Sequence, residues 1–337
     1  MMKSLRIGVV GATGVVGQQI LKVMAERKVP FSELKLLATA NSAGKKIDFM
    51  GKTYTVEETT AASFDDLDLA LFAGGEASKK FGRLAQEKGV VVIDNSSTFR
   101  YEPDVPLVVP EINGEVLKNH HGLIANPNCS TILLVCALYP LYKKSKITRI
   151  IVSTYQAVSG AGKAGLEELK LQNEQLSKGE AITPKAFQYQ IASNLIPHID
   201  VWLEDDYTKE EMKVVWETHK ILNDDSIGIT VTAVRVPVYR SHSESVYVEF
   251  AEEITPEEAR KLLAETPGVV LQDDPEHNIY PMPLTSSDTD EVYVGRIRRD
   301  LVNPKALNLW ISFDQVRKGA ATNAVQIAEY LLAHDLV

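Results

Sequence analysis

Short apolar runs, separated by glycine turns and amphipathic stretches, fill the N-terminal part of the chain and predict a parallel α/β sheet. The first run, Leu5–Val10, leads into a glycine-rich turn at 11–17 and then into the amphipathic stretch 18–24. This order is typical of dinucleotide-binding domains, because glycine lets the backbone approach a pyrophosphate at the helix N-terminus. The spacing is G-x-x-G-x-x-G, and a tight connection without a ligand is the alternative.

Four further apolar runs predict the other strands of this sheet: 33–39, 69–73, 89–94 and 122–125. A polar loop that contains Arg100 follows the run 89–94, at the edge where open α/β sheets bind ligands. Arg100 is therefore a candidate anion-binding residue, and a surface arginine paired with an acid is the alternative.

The end of the second predicted strand bears on the choice of cofactor. NAD sites usually place Asp or Glu there to bind the ribose 2′-hydroxyl. This chain has Thr39, Asn41 and Ser42, followed by Lys45 and Lys46, which tolerate or attract a 2′-phosphate. The pattern favours NADP, although the two lysines can equally be solvated loop charges.

After Pro140 the pattern changes, and from Ile227 it consists mainly of strands. The apolar/polar alternation at 245–250 is typical of an antiparallel sheet with one polar face. Predicted strands lie at 147–154, 229–238, 245–253, 291–298 and 306–313, and predicted helices lie at 166–177, from Thr208, from Thr255 and at 317–329. Thr208 and Glu211 have the spacing of a capping box at the start of their helix.

Cys129 is the candidate nucleophile. It stands in Asn-Pro-Asn-Cys-Ser-Thr at 126–131, before the apolar run Ile132–Leu138, which Pro140 is expected to end. At a helix start, unpaired N–H groups and the helix dipole favour a thiolate, and the same N–H groups can stabilise an oxyanion. A buried structural cysteine is the alternative, and it is the interpretation adopted for Cys136 inside the apolar run.

Two features of the second half carry further candidate chemistry. His242 stands in a polar loop just before a strand, which predicts a ring exposed enough to exchange protons, although a lone histidine is often incidental. Glu210 and Lys213 are three residues apart on a predicted helix, where such a pair is usually solvated and of little energetic weight.

The composition argues against several classes of protein. At 337 residues the chain is long for a single core, so two domains are expected. The net charge of −9 argues against nucleic acid as a partner, and no apolar run is long enough to predict a membrane span. Two cysteines make neither a disulfide framework nor a CxxC metal motif, so no metal is expected. Since no signal-peptide pattern is present, the cytoplasm is the expected location.

Several motifs together resemble aspartate-semialdehyde dehydrogenases of the bacterial type. They are the glycine turn at 11–17, the cysteine motif at 126–131, Gln-Ala-Val-Ser-Gly-Ala-Gly at 156–162, Arg235 seven residues before His242, and Arg-Lys-Gly-Ala-Ala-Thr-Asn at 317–323. The resemblance runs from residue 5 to about residue 330. It is specific, because acetylglutamyl-phosphate reductases carry Asn-Pro-Gly-Cys at the cysteine.

The resemblance implies an α/β fold with a Rossmann-like NADP-binding domain at 1–127 and 315–337. An α+β catalytic and dimerisation domain with a mostly antiparallel sheet is expected at 128–314. The implied reaction is NADPH-dependent conversion of L-aspartyl-4-phosphate to L-aspartate 4-semialdehyde and phosphate through a cysteine thioester. A homodimer built on the second domain's sheet is expected, with a tetramer as the alternative.

The resemblance also implies roles for individual residues. Catalytic roles fall on the nucleophile Cys129, the positioning glutamine Gln156 and the general acid/base His242. The implied substrate contacts are Arg235 for the α-carboxylate, Glu210 for the amino group, and Arg100, Lys213 and Asn128 for phosphate. The implied cofactor contacts are Gly11, Thr13, Gly14, Val15, Val16, Thr39, Asn41, Ser42, Ser159, Gly160 and Gln315. Many family members have Arg in place of Asn41 and Asn in place of Gln315.

Two other functions stay open at this point. One is another acyl-phosphate reductase with the same fold, and the other is a catalytically silent NADP-binding paralogue. The joint presence of Cys129, Gln156, Arg235 and His242 argues against the silent paralogue.

Overall fold

In the computed structural model, which describes residues 5–337, the chain divides into two compact units. The first comprises the described residues up to Asn128 together with Ala320–Val337, and the second is Cys129–Gly319. The functional domains expected at 1–127 with 315–337 and at 128–314 stay a prediction, and residues 1–4 of that prediction lie outside the described residues.

The strands in the described residues are β1 (Leu5–Val10), β2 (Phe31–Ala38), β3 (Lys46–Phe49), β4 (Lys52–Glu58), β5 (Leu69–Phe72), β6 (Val91–Asp94), β7 (Leu123–Ala125), β8 (Ile147–Gln156), β9 (Gly228–Arg235), β10 (His242–Phe250), β11 (Val269–Leu271), β12 (Val292–Arg299) and β13 (Ala306–Phe313). The α-helices are α1 (Val15–Glu26), α2 (Gly75–Glu87), α3 (Pro110–Asn113), α4 (Cys129–Lys144), α5 (Gly162–Lys178), α6 (Lys209–Leu222), α7 (Pro256–Ala264), α8 (Pro283–Ser286) and α9 (Thr322–Ala333). Of the helices within residues 5–337, none has the length and apolar character needed to cross a membrane.

The first unit contains a seven-stranded sheet in the order β3-β4-β2-β1-β5-β6-β7. Every pairing is parallel except that of β3 with β4. All residues of β1 except Arg6 are buried, which explains why apolar residues occupy both faces of the strand instead of alternating with polar ones. At the turn into α1, a Cβ on Gly17 would lie 2.1 Å from the carbonyl oxygen of Gly11, so only glycine allows this close packing. The predicted Rossmann-like arrangement is confirmed.

The second unit contains a six-stranded sheet in the order β11-β12-β13-β10-β8-β9. Three of its five pairings are antiparallel, while β8 with β9 and β11 with β12 are parallel. The predicted, mostly antiparallel sheet is therefore confirmed. The capping box at the start of α6 is confirmed as well, because Thr208 and Glu211 each accept a hydrogen bond from the other's backbone N–H.

The expectation that Pro140 ends its helix is wrong, because α4 continues to Lys144. A proline inside a helix removes one backbone hydrogen bond, and tertiary contacts of the following turn can offset that loss. Here Leu141 is fully buried, and the Tyr142 hydroxyl donates to a carboxylate oxygen of Asp224 at 2.8 Å.

Candidate active site

Cys129 is the first residue of α4, as its sequence setting predicted, and its side chain is partly exposed. The helix therefore begins at the candidate nucleophile, where the first N–H groups lack partners inside the helix. Cys136, two turns further along α4, is also only partly buried, so the interpretation of it as a fully buried cysteine is wrong.

His242 is completely buried as the first residue of β10, and the prediction of an exposed loop histidine is wrong. The reason is that β10 begins at His242, three residues before the predicted strand at 245–253, and pairs His242 with Phe313 of β13. The backbone N–H of Ala157 donates to Nδ1 of His242 at 3.0 Å. Nδ1 is therefore the acceptor, and the neutral ring carries its proton on Nε2.

The electrostatics of the site keep His242 neutral. Burial and the nearby positive charge of Arg235 lower the pKa of His242 to about 3, against the opposing charge of Glu210. Nε2 is buried and has no hydrogen-bond partner among the residues that the structure describes. A buried N–H without a partner is costly, which indicates a place where a ligand atom is expected to bind.

Arg235 ends β9 and is almost fully buried beside His242. Its Nη1 donates to the carbonyl oxygen of Ala157 at 2.7 Å. Burial lowers the pKa of Arg235, while the charges of Glu210 and Cys129 oppose that shift. The guanidinium thus shares its surroundings with the candidate nucleophile and with the candidate acid/base residue.

A chain of buried polar side chains links Gln156 to Lys213. Gln156 donates to Glu210 at 3.1 Å and accepts from the Thr154 hydroxyl at 2.9 Å. Lys213 donates to Glu210 at 2.9 Å and to Asp200 at 2.7 Å. The prediction of a solvated Glu210–Lys213 pair is wrong, because their side chains are 8% and 11% exposed.

The charge of Lys213 is maintained by its two carboxylate partners. Burial alone would lower the pKa of Lys213, but Glu210 and Asp200 together raise it above the ordinary value. Asp200 and Thr154 were missed by the sequence analysis. Asp200 lies thirteen residues before Lys213 in an irregular segment, and nothing in its spacing indicates the contact.

Ser159 and Gln315, both expected to contact the cofactor, lie together in the second unit. Gln315 donates to the Ser159 hydroxyl and accepts from the backbone N–H of Ser241 at 2.9 Å. Gly160 follows directly, and a Cβ there would lie 2.8 Å from Nη1 of Arg235 and 3.3 Å from Nε2 of His242. The absence of a side chain at Gly160 therefore keeps space open around both donors.

Arg100 and Asn128 lie in the first unit, and both are buried. Arg100 donates from Nη2 to the carbonyl oxygen of Asn95 at 3.0 Å, so the alternative of a surface arginine is wrong. The buried carboxylate of Asp94 at the end of β6 accepts from the Ser96 hydroxyl at 2.6 Å. Burial raises the pKa of Asp94, and its contacts with Ser78, Ser96 and Arg100 partly offset that shift.

The carboxyl ends of β1, β2 and β4 border a cavity of about 260 Å³ in the first unit. Its lining residues are Val10, Gly11, Ala38, Thr39, Ala40, Glu58, Thr59, Glu76, Ala77, Lys80 and Phe81. The cavity lies in the same unit as α1. The N-cap residue of α1 is Gly14, which has no side chain to cap the helix N-terminus. A dinucleotide fits this combination of glycine backbone, open helix N-terminus and cavity.

The loop after β2 holds the residues expected near a 2′-phosphate. Ser42 accepts from the Thr13 hydroxyl at 3.3 Å and from Nζ of Lys45 at 3.3 Å, while Asn41 is exposed. Of the predicted cofactor residues, Gly11 and Thr39 line the cavity. Val15 and Val16 form the first turn of α1.

Two family descriptions match most of the chain. "Semialdehyde dehydrogenase, NAD binding domain" matches residues 6–120, and "Semialdehyde dehydrogenase, dimerisation domain" matches residues 138–318. An aspartate-semialdehyde dehydrogenase from Aquifex aeolicus is 52% identical over 338 residues, covering 98% of this chain and 99% of that protein.

Two solved structures share the fold over nearly the whole chain. Aspartate semialdehyde dehydrogenase II complexed with ASA, from Vibrio cholerae, has a TM-score of 0.95 at 46% identity, covering 98% of this chain and 99% of that one. Aspartate semialdehyde dehydrogenase with NADP, from Candida albicans, has a TM-score of 0.77 at 25% identity, covering 99% of this chain and 100% of that one. Both likenesses support the predicted fold class.

Proposed function

The chain belongs to the aspartate-semialdehyde dehydrogenase family, as its motifs predicted, and we propose that Cys129 carries the acyl group in the family's reaction. That reaction is the reductive dephosphorylation of L-aspartyl-4-phosphate to L-aspartate 4-semialdehyde, a step of lysine, threonine, methionine and diaminopimelate biosynthesis. One observation carries the proposal: a cysteine at a helix start shares its surroundings with a buried arginine, a buried carboxylate and a neutral histidine.

In the first step, the Cys129 thiolate forms a bond to the acyl carbon, and the bond from that carbon to the phosphate oxygen breaks. The N-terminus of α4 stabilises the thiolate, and its N–H groups can stabilise the oxygen that gains charge during the attack. Inorganic phosphate leaves, and a thioester remains on the sulfur. We also propose a cytoplasmic location, because a reducing compartment preserves such a thiol.

The substrate is a small molecule with three charged ends, and the proposed contacts match each one. The Arg235 guanidinium makes a bidentate contact with the α-carboxylate, and the Glu210 carboxylate faces the amino group. Arg100 binds the phosphate, with Lys213 and Asn128 assisting. The raised pKa of Lys213 is consistent with its part, because it keeps the ammonium protonated, as a contact with an anion requires.

A bound nicotinamide dinucleotide supplies the hydride that reduces the thioester. His242 then faces the oxygen that becomes negatively charged, and its Nε2–H donates a hydrogen bond to it. As the proposed general acid/base residue, His242 gives a proton to this oxygen and then takes it back. The carbon–sulfur bond breaks as the C=O bond forms, the aldehyde leaves and Cys129 returns to the thiolate. Gln156 positions the acyl group, and its own amide is fixed by Thr154 and Glu210.

We propose NADP as the preferred dinucleotide, with a modest margin over NAD. No acid ends β2, and Lys45 lies against Ser42 where a 2′-phosphate is expected. Glu58 opposes this preference, since it ends the neighbouring strand β4 opposite Ala38 and lines the same cavity. Asn41 brings hydrogen bonds but no charge, whereas arginine would bring both.

We also propose a homodimer built on the outer face of the six-stranded sheet. That face carries Ile151, Tyr155 and Trp310, and the Tyr155 and Trp310 rings lie 5.2 Å apart. A sheet face of this kind is stabilised when a second copy covers it. Sedimentation analysis of wild type and of the Ile151→Glu variant tests this, and an unchanged dimer in the variant would place the interface elsewhere.

The experiment that tests the reaction measures NADPH formation from L-aspartate 4-semialdehyde, NADP and phosphate. We expect turnover that requires phosphate, since phosphate must release the acyl group from Cys129. Omission of phosphate should leave at most one turnover per active site. Steady turnover of a different acyl phosphate or its aldehyde, with none for the aspartate compound, would support another acyl-phosphate reductase instead.

A further inference from the structure

Gly319 lies inside a short π-helix, Arg317–Ala321, near the C-terminal end of the second unit. Its backbone N–H donates to the carbonyl oxygen of Asp314 at 3.4 Å, five residues earlier. Short π-helical turns are rare and often occur at functional sites, because they shift the following backbone relative to an α-helix. The family resemblance assigns no role to this glycine.

Contacts of the Asp314 side chain stabilise the backbone just before the π-helix Arg317–Ala321. The fully buried carboxylate of Asp314 accepts from the backbone N–H groups of Val316 at 2.9 Å and of Asp288 at 2.7 Å. Nε of Arg240 lies 2.6 Å from the same carboxylate. Because these contacts stabilise the start of the π-helix, they also help to position the backbone of Gly319 within it.

The backbone of Gly319 lies directly against the side chain of Cys129. A Cβ built on Gly319 would be 2.9 Å from Cβ of Cys129, 3.4 Å from its Cα and 3.0 Å from Cζ of Phe313. Carbon atoms in ordinary contact are about 3.5–4.0 Å apart, so a methyl group there would force one of these neighbours to move.

Space, and not backbone conformation, is what requires glycine here. The φ angle of Gly319 lies outside the left-handed region, unlike those of Gly162 or Gly179. An alanine at this position therefore meets no left-handed backbone strain, and its nearest contacts would be with Cys129 and Phe313.

We propose that Gly319 is a positioning residue that holds Cys129 at the start of α4 in the geometry needed for acyl transfer. This inference rests on the proposed role of Cys129 as nucleophile. Because a Cβ on Gly319 would lie 2.9 Å from Cβ of Cys129, the glycine leaves room for the Cys129 side chain, and a larger residue would push that side chain away. A sulfur displaced from the helix N-terminus loses contact with the N–H groups that favour the thiolate.

The test compares Gly319→Ala with Gly228→Ala. Gly228 is an exposed residue of β9 where a Cβ would lie 3.7 Å from its nearest neighbour, so this control adds a methyl group without crowding. The first readout is the rate at which iodoacetamide alkylates Cys129, measured by mass spectrometry of its peptide. The Cys136 peptide in the same sample serves as an internal reference.

We expect Gly319→Ala to slow Cys129 alkylation at least threefold and to lower kcat about 10- to 100-fold, because small displacements of reacting atoms have effects of this size. The KM for NADP should stay within about twofold, since the substitution affects the thiol and not the dinucleotide site. Alkylation and kcat that both match those of Gly228→Ala would overturn the proposal.

The double variant Gly319→Ala/Phe313→Leu separates the two crowded contacts. The leucine makes room beside Phe313 but none beside Cys129, so the slow alkylation should persist. It also serves as the test variant if Gly319→Ala does not fold. Recovery of wild-type alkylation would overturn the proposal, because crowding at Phe313 would then explain the effect. Alkylation needs no turnover, so it tests the role of Gly319 even if the proposed reaction is wrong.

Discussion

Protonation of the buried His242 should destabilise the second unit as the pH falls below neutral. An unfolded histidine has a pKa of about 6.5, and the folded value here is about 3. Between these values the unfolded chain binds the proton and the folded one does not. The stabilisation linked to this residue is therefore complete above pH 6.5 and is lost progressively as the pH falls towards 3.

The two pKa values give the expected size of the effect. Linkage predicts a loss of about 2 kcal/mol in the free energy of unfolding between about pH 7.5 and about pH 5 from this one side chain. The fully buried Glu244 works in the opposite direction, because burial raises its pKa well above the ordinary value. Its stabilising effect is present at low pH and is lost as the pH rises, so the pH dependence of the wild type alone cannot isolate His242.

The comparison with His242→Asn removes this ambiguity, since Glu244 is present in both proteins. Asparagine can accept the same hydrogen bond from Ala157 through its side-chain oxygen, but it does not titrate. We expect wild type to lose about 2 kcal/mol more than the variant over this pH range. His277→Asn, at an exposed position, provides a control for the same substitution outside the site of His242.

Urea unfolding followed by tryptophan fluorescence is a suitable assay. All three tryptophans, Trp202, Trp216 and Trp310, lie in the second unit, so their fluorescence reports on the unit that contains His242. Equal losses in wild type and in His242→Asn would show that the ring is not held neutral by the fold. In that case, the assignment of Nε2 as a hydrogen-bond donor would also be wrong.

The remaining predictions concern the substrate and cofactor contacts. Arg235→Lys should raise the KM for L-aspartate 4-semialdehyde about 10- to 100-fold with little change for NADP, because lysine cannot form the bidentate contact; an unchanged KM would exclude Arg235 as the carboxylate clamp. Thr154→Val should lower kcat about 5- to 30-fold by freeing the Gln156 amide, and Thr148→Val at an exposed position is its control. Asn41→Arg should raise the preference for NADP over NAD, measured as the ratio of their kcat/KM values, about tenfold at low salt and less at high salt. An unchanged kcat/KM for both cofactors would contradict the assigned 2′-phosphate contact.

Residues whose role depends on local order along the chain could be predicted from the sequence. The glycine turn between β1 and α1 and the position of Cys129 at a helix start follow from near neighbours in the chain. Contacts made across long separations could not be predicted. Gln156 meets Glu210 across 54 residues, and Gly319 meets Cys129 across almost the entire second unit.

Burial was the main source of wrong predictions. Polar residues are usually exposed, so His242 and the Glu210–Lys213 pair were expected at the surface. In the fold both are enclosed. His242 is buried at the start of β10 and accepts from the N–H of Ala157, and Glu210 and Lys213 of α6 are buried and bind each other. Pro140 illustrates the same limit. The Tyr142–Asp224 contact beyond it joins residues that are far apart in the sequence, so no local pattern predicts that α4 continues.

Trapping the acyl group on Cys129 tests the central claim most directly. The protein is incubated with L-aspartate 4-semialdehyde and NADP without phosphate, and its peptides are then analysed by mass spectrometry. The account predicts an aspartyl adduct on the Cys129 peptide that disappears when phosphate is added and is absent from Cys129→Ser. Phosphate-dependent turnover without any adduct on Cys129, or turnover by Cys129→Ser above about a tenth of wild type, would contradict covalent catalysis at this residue.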